Sequence, residues 1–238
     1  MCGRFVVSQK VTDLTDVFDA ENDYEDWEPR FSLAPTDTVP IVRERPDSAT
    51  GAFVRRLEPA VWNFHPSFMR DSKRPQFNSR IETVATNGLW KGAFASGRCI
   101  VPMHGYYEWT GEPGHKQAHF LRGSDDLLAA AGISTARKLD DGSWQVSTSI
   151  ITREARDASG EIHDRMPVYL PLDAVDRYLD PTKLDASGMQ AMVDFLIEAS
   201  DHVAPTIIEY EVDPRVNNQR RIDPTDPTLI EPLEVSGT

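Results

Sequence analysis

Residues 98–110 read RCIVPMHGYYEWT, and this stretch decides the fold class. Its β-branched and aromatic side chains fit a pleated, half-buried strand far better than a helix. Similar runs lie on both sides: TVPIVR, FVRRLEPAVWNF, AHFLRG, LLAAAGIST, WQVSTSIITR and, late in the chain, APTIIEYEVDPRV. Turn signals such as TGEPG and DDGS separate them. Helical patterns flank the strands. VTDLTDVFDA sets Val11, Leu14, Val17 and Phe18 on one face, and IETVATNGLWKGAFASG predicts a helix ending near Gly97, with Leu89, Trp90 and Phe94 toward the core. DAVDRYL and GMQAMVDFLIEAS predict two more, the second with an apolar stripe of Met192, Val193, Leu196 and Ile197. Strands in the middle and helices beside them predict an α+β fold with a mostly antiparallel sheet.

The 238 residues, 39% of them hydrophobic, suffice for one domain with a sizeable core. The expected domain spans 2–222. The proline-rich DPTDPTLIEPLEVSGT, 223–238, is expected as a loosely attached tail. No apolar run is long enough to span a membrane, and MCGRFVVSQK lacks a secretory h-region, so a cytoplasmic location is expected. The two cysteines, Cys2 and Cys99, make no disulfide framework and no zinc spacing. No metal or cofactor is expected, and a monomer is the default. Cys99 reads as a buried filler. A net charge of −13 argues against broad nucleic-acid affinity. It permits a local basic groove, because Arg55, Arg56, Arg70, Lys73, Arg74 and Arg80 gather in the first third, with Arg4 and Arg165 near the motifs below.

The chain opens MCGRF. Methionine is commonly trimmed before a small residue, and trimming would leave Cys2 with a thiol and a free α-amine on adjacent carbons. An α-amine has a pKa of about 7.7–8.0, against about 10.4 for lysine, so far more of it is nucleophilic at neutral pH. Amines attack aldehydes to give Schiff bases. A thiol held on the next carbon then closes a five-membered thiazolidine with a large effective molarity. The plain alternative is a small packed residue at the terminus.

Three further segments carry polar groups that a core would avoid. FNSRIET offers Asn78, Arg80 and Glu82 at a helix mouth, where Ser79 as cap and Glu82 in the first turn are the structural alternative. HGYYEWT sets Glu108 among aromatics; desolvation there tends to raise a carboxyl pKa, which suits acid–base work, while an edge-strand surface position is the alternative. EIHDRMPVYL places His163 before Asp164 and Arg165. Histidine moves protons readily near neutrality, although a lone loop histidine is more often structural.

Together MCGRF, LAPT, FNSRIETV, CIVPMHGYYEW, KQAHF, SIITREA and IHDRMPV, in this order and spacing, resemble the SRAP family, the SOS-response-associated peptidase-like or abasic site processing proteins. The likeness runs from residue 2 to about residue 170, with VNN at 216–218 as a late echo. It implies the family's α+β fold, a mostly antiparallel twisted sheet or open barrel-like core with flanking helices. It implies capture of abasic sites in single-stranded DNA as a covalent thiazolidine crosslink through Cys2, protecting those sites in the DNA damage response. Asn78 would orient the Cys2 backbone. Glu108 would shuttle protons through sugar opening, closure and reversal. His163 would assist ring opening and Schiff-base formation. Arg80, Arg4 and Arg165 would hold phosphates. An AP-lyase side activity and self-removal of Met1 are further implications.

Departures from the family pattern concentrate in VWNFHPSFM, where Trp62 is kept, Asn63 replaces a glycine, His65 is unusual and Phe68 stands for a tryptophan. Trp62 and Phe68 are the candidate base-stacking surface. Ser32 stands where asparagine is frequent, and Met103 and His104 depart as well. DNA binding through a local groove predicts salt sensitivity. The rival readings are a cysteine-dependent peptidase or amidohydrolase using Cys2 as N-terminal nucleophile, and a single-strand binding module in which Cys2 is incidental.

Overall fold

The run 98–110 forms two strands that belong to different sheets. The computed structural model describes residues 2–69, 74–112, 114–125, 127–156 and 158–233. In chain order the first half carries β1 (Phe5–Val7), α1 (Val11–Phe18), β2 (Glu21–Asn22), β3 (Arg30–Leu33), β4 (Thr38–Pro46), β5 (Phe53–Val61), β6 (Asn78–Arg80), α2 (Ile81–Val84) and α3 (Lys91–Ser96). The second half carries β7 (Arg98–Met103), β8 (Gly105–Thr110), β9 (Gln117–Arg122), β10 (Leu128–Lys138), β11 (Trp144–Glu154), β12 (Arg165–Pro167), β13 (Tyr169–Leu170), α4 (Val175–Leu179), α5 (Ala186–Val203) and β14 (Ile208–Val212).

A five-stranded sheet runs β14-β9-β8-β1-β3, and a nine-stranded sheet has the main path β12-β11-β10-β7-β4-β5-β2. A parallel bridge from Ser147 to Val61 joins β11 to β5 and closes β5-β4-β7-β10-β11 into a barrel-like ring. Most of the pairing is antiparallel, so the fold is α+β as expected. The chain crosses between sheets at His104, whose N–H donates to Val6 O (2.8 Å). Gly105 is required there: a Cβ would run into the Leu121 carbonyl and the Phe120 ring. The main core lies against both sheets and includes Phe5, Trp62, Phe94, Tyr106 and Tyr169. A second cluster on the other face of the small sheet gathers Val6, Tyr107, Phe120 and Leu229.

Three expectations need correction. The single helix over IETVATNGLWKGAFASG is two short helices, because Asn87 and Gly88 make a turn in which Asn87 Oδ1 accepts from Leu89 N (2.8 Å). Val17 is 47% exposed, so only Leu14 and Phe18 bury fully from α1. Residues 223–233, expected as a loose tail, are fastened to the small sheet. Leu229 is buried, Phe31 N donates to Pro224 O (2.7 Å), Tyr210 Oη donates to Ile230 O (2.9 Å), and Leu233 N donates to Glu211 O (3.0 Å). The remainder, 234–238, lies outside the described residues, as do Met1, Arg70 and Lys73. No described helix is long and apolar enough to cross a membrane.

Candidate active site at the amino terminus

Cys2 is fully buried, although it stands at the start of the chain. Two contacts hold the segment. Arg4 O accepts from Tyr107 N on β8 (2.9 Å), which ties residues 2–4 to the small sheet. Asn78 Nδ2 donates to Cys2 O (2.8 Å) from the other side. Asn78 can do so because β6 lies parallel along β11, with Asn78 opposite Ile150. The terminus is therefore bridged between the sheets by one backbone bond and one side-chain bond.

Burial pushes the Cys2 thiol well above the ordinary cysteine range, and the charge of Glu108 pushes it further. The thiol is protonated at neutral pH. Glu108 is itself 3% exposed, on the strand that pairs with residues 4–6. His163 lies on the loop before β12. Burial, followed by the positive charge of the chain's amino terminus, lowers its pKa. His163 Nδ1 lies 3.0 Å from Arg165 N. Asp164 Oδ1 lies 2.9 Å from the same nitrogen, close enough to accept a proton shared with Nδ1 and to pair with a charged ring. Cys2 is thus bonded to Asn78 and feels the charge of Glu108, while His163 feels the charge of the amino terminus. Among the described residues no cluster of His, Cys, Asp and Glu is arranged to hold a metal ion.

The residues expected to meet DNA separate into two kinds. Phe68 is 71% exposed and Arg80 is exposed at the start of α2. Trp62 is not a stacking surface. It is fully buried, packed edge-on against Phe5 and Phe77, and its Nε1 donates to Phe77 O (2.8 Å). Arg165 is held by Glu82 through both terminal nitrogens (2.6 and 3.0 Å). Burial alone would raise the Glu82 pKa, but this bond, a backbone hydrogen bond and the charges of Arg165 and Arg80 together outweigh it, and the net shift is downward. Arg4 Nη1 donates to Ser32 Oγ (3.1 Å) and Val216 O (3.0 Å), with its guanidinium over Trp109. Arg55 and Arg56 do not belong to a free basic groove: Arg55 pairs with Glu44 and Asp176, and Arg56 with Glu21, Asp23 and Asp47.

The atypical residues are stitches. Asn63 Oδ1 accepts from Gln76 N (2.8 Å), and His65 Nε2 lies 3.1 Å from both Met69 O and Arg137 Nη1. Ser32 Oγ donates to Gln219 Oε1 (2.8 Å). Ser79 does not cap α2; it is buried on β6, and Arg80 occupies the cap position. Sequence reading missed Glu82 as the partner of Arg165 and Gln219 as the partner of Ser32. Both pairs join distant segments, so no local pattern announces them. A cavity of about 520 Å³ lies between α1, residues 123–128 and the end of α5, and none of these site residues lines it.

The family model described as SOS response associated peptidase (SRAP) matches residues 1–219. The chain is 31% identical over 199 residues to the abasic site processing protein YedK of Escherichia coli, covering 80% of this chain and 83% of that one. It is 26% identical over 230 residues to the abasic site processing protein YoaM of Bacillus subtilis, covering 94% and 98%. A crystal structure of a Bacteroides thetaiotaomicron protein superposes with a TM-score of 0.77 at 19% identity, covering 97% of this chain and 99% of that one, a likeness of fold.

Proposed function

Since the chain belongs to the SOS response associated peptidase (SRAP) family, we propose that it processes abasic sites in single-stranded DNA, with Cys2 as the covalent nucleophile once Met1 is removed. The observation that carries this reading is the Asn78–Cys2 hydrogen bond beside the buried Glu108. It holds the residue that bears both nucleophiles at a fixed place, next to a group able to move protons.

An abasic sugar is mostly a closed hemiacetal. His163 is suited to hydrogen-bond the ring oxygen as it opens. The Cys2 amine then attacks the aldehyde carbon, and the carbinolamine loses water to an imine. Sγ adds to the imine carbon and the thiol proton ends on nitrogen, so one water is lost overall. Because the thiol is protonated, the amine acts first, and Glu108 relays the thiol proton to the nitrogen as the ring closes. If closure fails, the imine supports β-elimination of the 3′ phosphate, an AP-lyase side reaction. Phe68 and Arg80 offer the DNA a stacking face and a phosphate contact. Arg165 would have to exchange Glu82 for phosphate. The peptidase reading fits less well, because a thiol pushed up by burial supplies little thiolate at neutral pH.

The test is incubation with single-stranded DNA bearing one abasic site. The expected product is one heat-stable adduct per protein, absent in Cys2→Ala. Catalytic turnover of an amide without adduct would support the rival.

A further inference from the structure

Strands β8 and β9 set Glu108 opposite His119, and β9 and β14 set His119 opposite Glu211. Directly opposed residues of an antiparallel pair share a face, with Cβ atoms about 4.5–5.5 Å apart. Thr110, two residues beyond Glu108, and Glu209, two before Glu211, lie on that same face. His119 is fastened at both ring nitrogens: Nδ1 is 2.5 Å from Glu209 Oε1 and Nε2 is 2.8 Å from Thr110 Oγ1. Its side chain is 10% exposed and that of Glu209 is 29% exposed. The chemistry above uses none of these three residues.

We propose that His119 is a positioning residue: clamped between Glu209 and Thr110 and facing Glu108 across the β8–β9 pair, it sets how tightly Glu108 holds its proton. Its functional consequence rests on the proposed role of Glu108, whereas the coupling itself does not. The groups that face the ring are Glu108 and Thr110 from β8 and Glu209 and Glu211 from β14. The turn 214–217 that packs on β9 brings Arg215, which is already paired with Asp213 and Asp226. Whenever the ring carries a second proton, it is the cation that these carboxylates meet. A protonated His119 favours the ionised form of Glu108. By reciprocity, a proton bound at either site weakens proton binding at the other.

The experiment is site-resolved NMR titration of the Glu108 carboxyl and the His119 ring in wild type, His119→Gln and Glu108→Gln. The amide of His119→Gln can keep the hydrogen bonds and carries no charge, so Glu108 should bind its proton about tenfold more tightly. Reciprocally, Glu108→Gln should weaken proton binding at His119 by a similar factor. That second variant carries the test if the first does not fold. In crosslinking, His119→Gln should move the acid limb of the rate profile to higher pH, whereas a purely structural defect would scale the rate equally at every pH. Unmoved midpoints in both variants would overturn the proposal. A wild type that forms no adduct would instead remove the functional reading and leave the titrations to decide the coupling.

Discussion

Asn78 Nδ2 donates a 2.8 Å hydrogen bond to the carbonyl oxygen of Cys2, across 76 residues of sequence. This bond turns a terminus, which would ordinarily fray, into a fixed element of the core. Asn78→Ala should slow crosslinking by about tenfold, the loss expected for about 1.4 kcal/mol of positioning. Amide exchange across residues 4–7 should accelerate at the same time. Unchanged rate and exchange would show that the segment is held by Tyr107 N and the Arg4 side-chain bonds without Asn78.

The Glu82–Arg165 pair predicts a gain of function. Its carboxylate is 49% exposed, so Glu82→Gln should cost at most about 1 kcal/mol of stability. Arg165, no longer neutralised by a carboxylate though its Nη2 still donates to Thr152 O (2.6 Å), should bind single-stranded DNA several-fold more tightly at low salt. Fluorescence anisotropy across a salt series should show a slope steeper by about one ion. Affinity and slope equal to wild type would mean that Arg165 does not meet phosphate.

Phe68 and Trp62 should behave oppositely. Phe68→Ala, at a site 71% exposed, should leave the melting temperature within a degree or two and weaken single-strand binding, with about 1–3 kcal/mol at stake in one stacked base. Trp62→Ala should lower stability by about 3–5 kcal/mol through the cavity left between Phe5 and Phe77. Thermal melts with anisotropy separate the two.

Much of this was legible in the sequence because strand periodicity and turn residues are local signals. The runs at 38–46, 98–103 and 144–154 appear as strands where β-branched residues cluster. The sheet crossing at His104 was not legible, since it depends on which partners Val6 and Leu121 provide. Asn78 and Glu108 stood out because a core has little use for them. Trp62 misled because an aromatic near a basic run reads the same whether it faces base or core. His119 and Glu209 meet only through strand pairing over 90 residues of sequence.

Cys99 gives a pH prediction. Burial pushes its thiol up to about 12, against about 8.5 in an unfolded chain. A raised folded pKa means that the native state binds more protons than the unfolded one above the unfolded value. Stability from this group is complete below about pH 8.5 and is lost as the pH rises toward 12, by about 2 kcal/mol at pH 10. Denaturant titrations at pH 8 and pH 10 should show that loss in wild type and a smaller one in Cys99→Ala. Equal losses would assign it to other groups, such as Tyr178, whose pKa burial also raises.

The most direct measurement is the intact mass of the purified protein before and after mixing with single-stranded DNA that carries one abasic site. The account predicts a protein lacking Met1, and then a heat-stable species of protein plus DNA minus one water, abolished by Cys2→Ala. A protein trimmed to Cys2 that stays at its own mass in the presence of that DNA would contradict it.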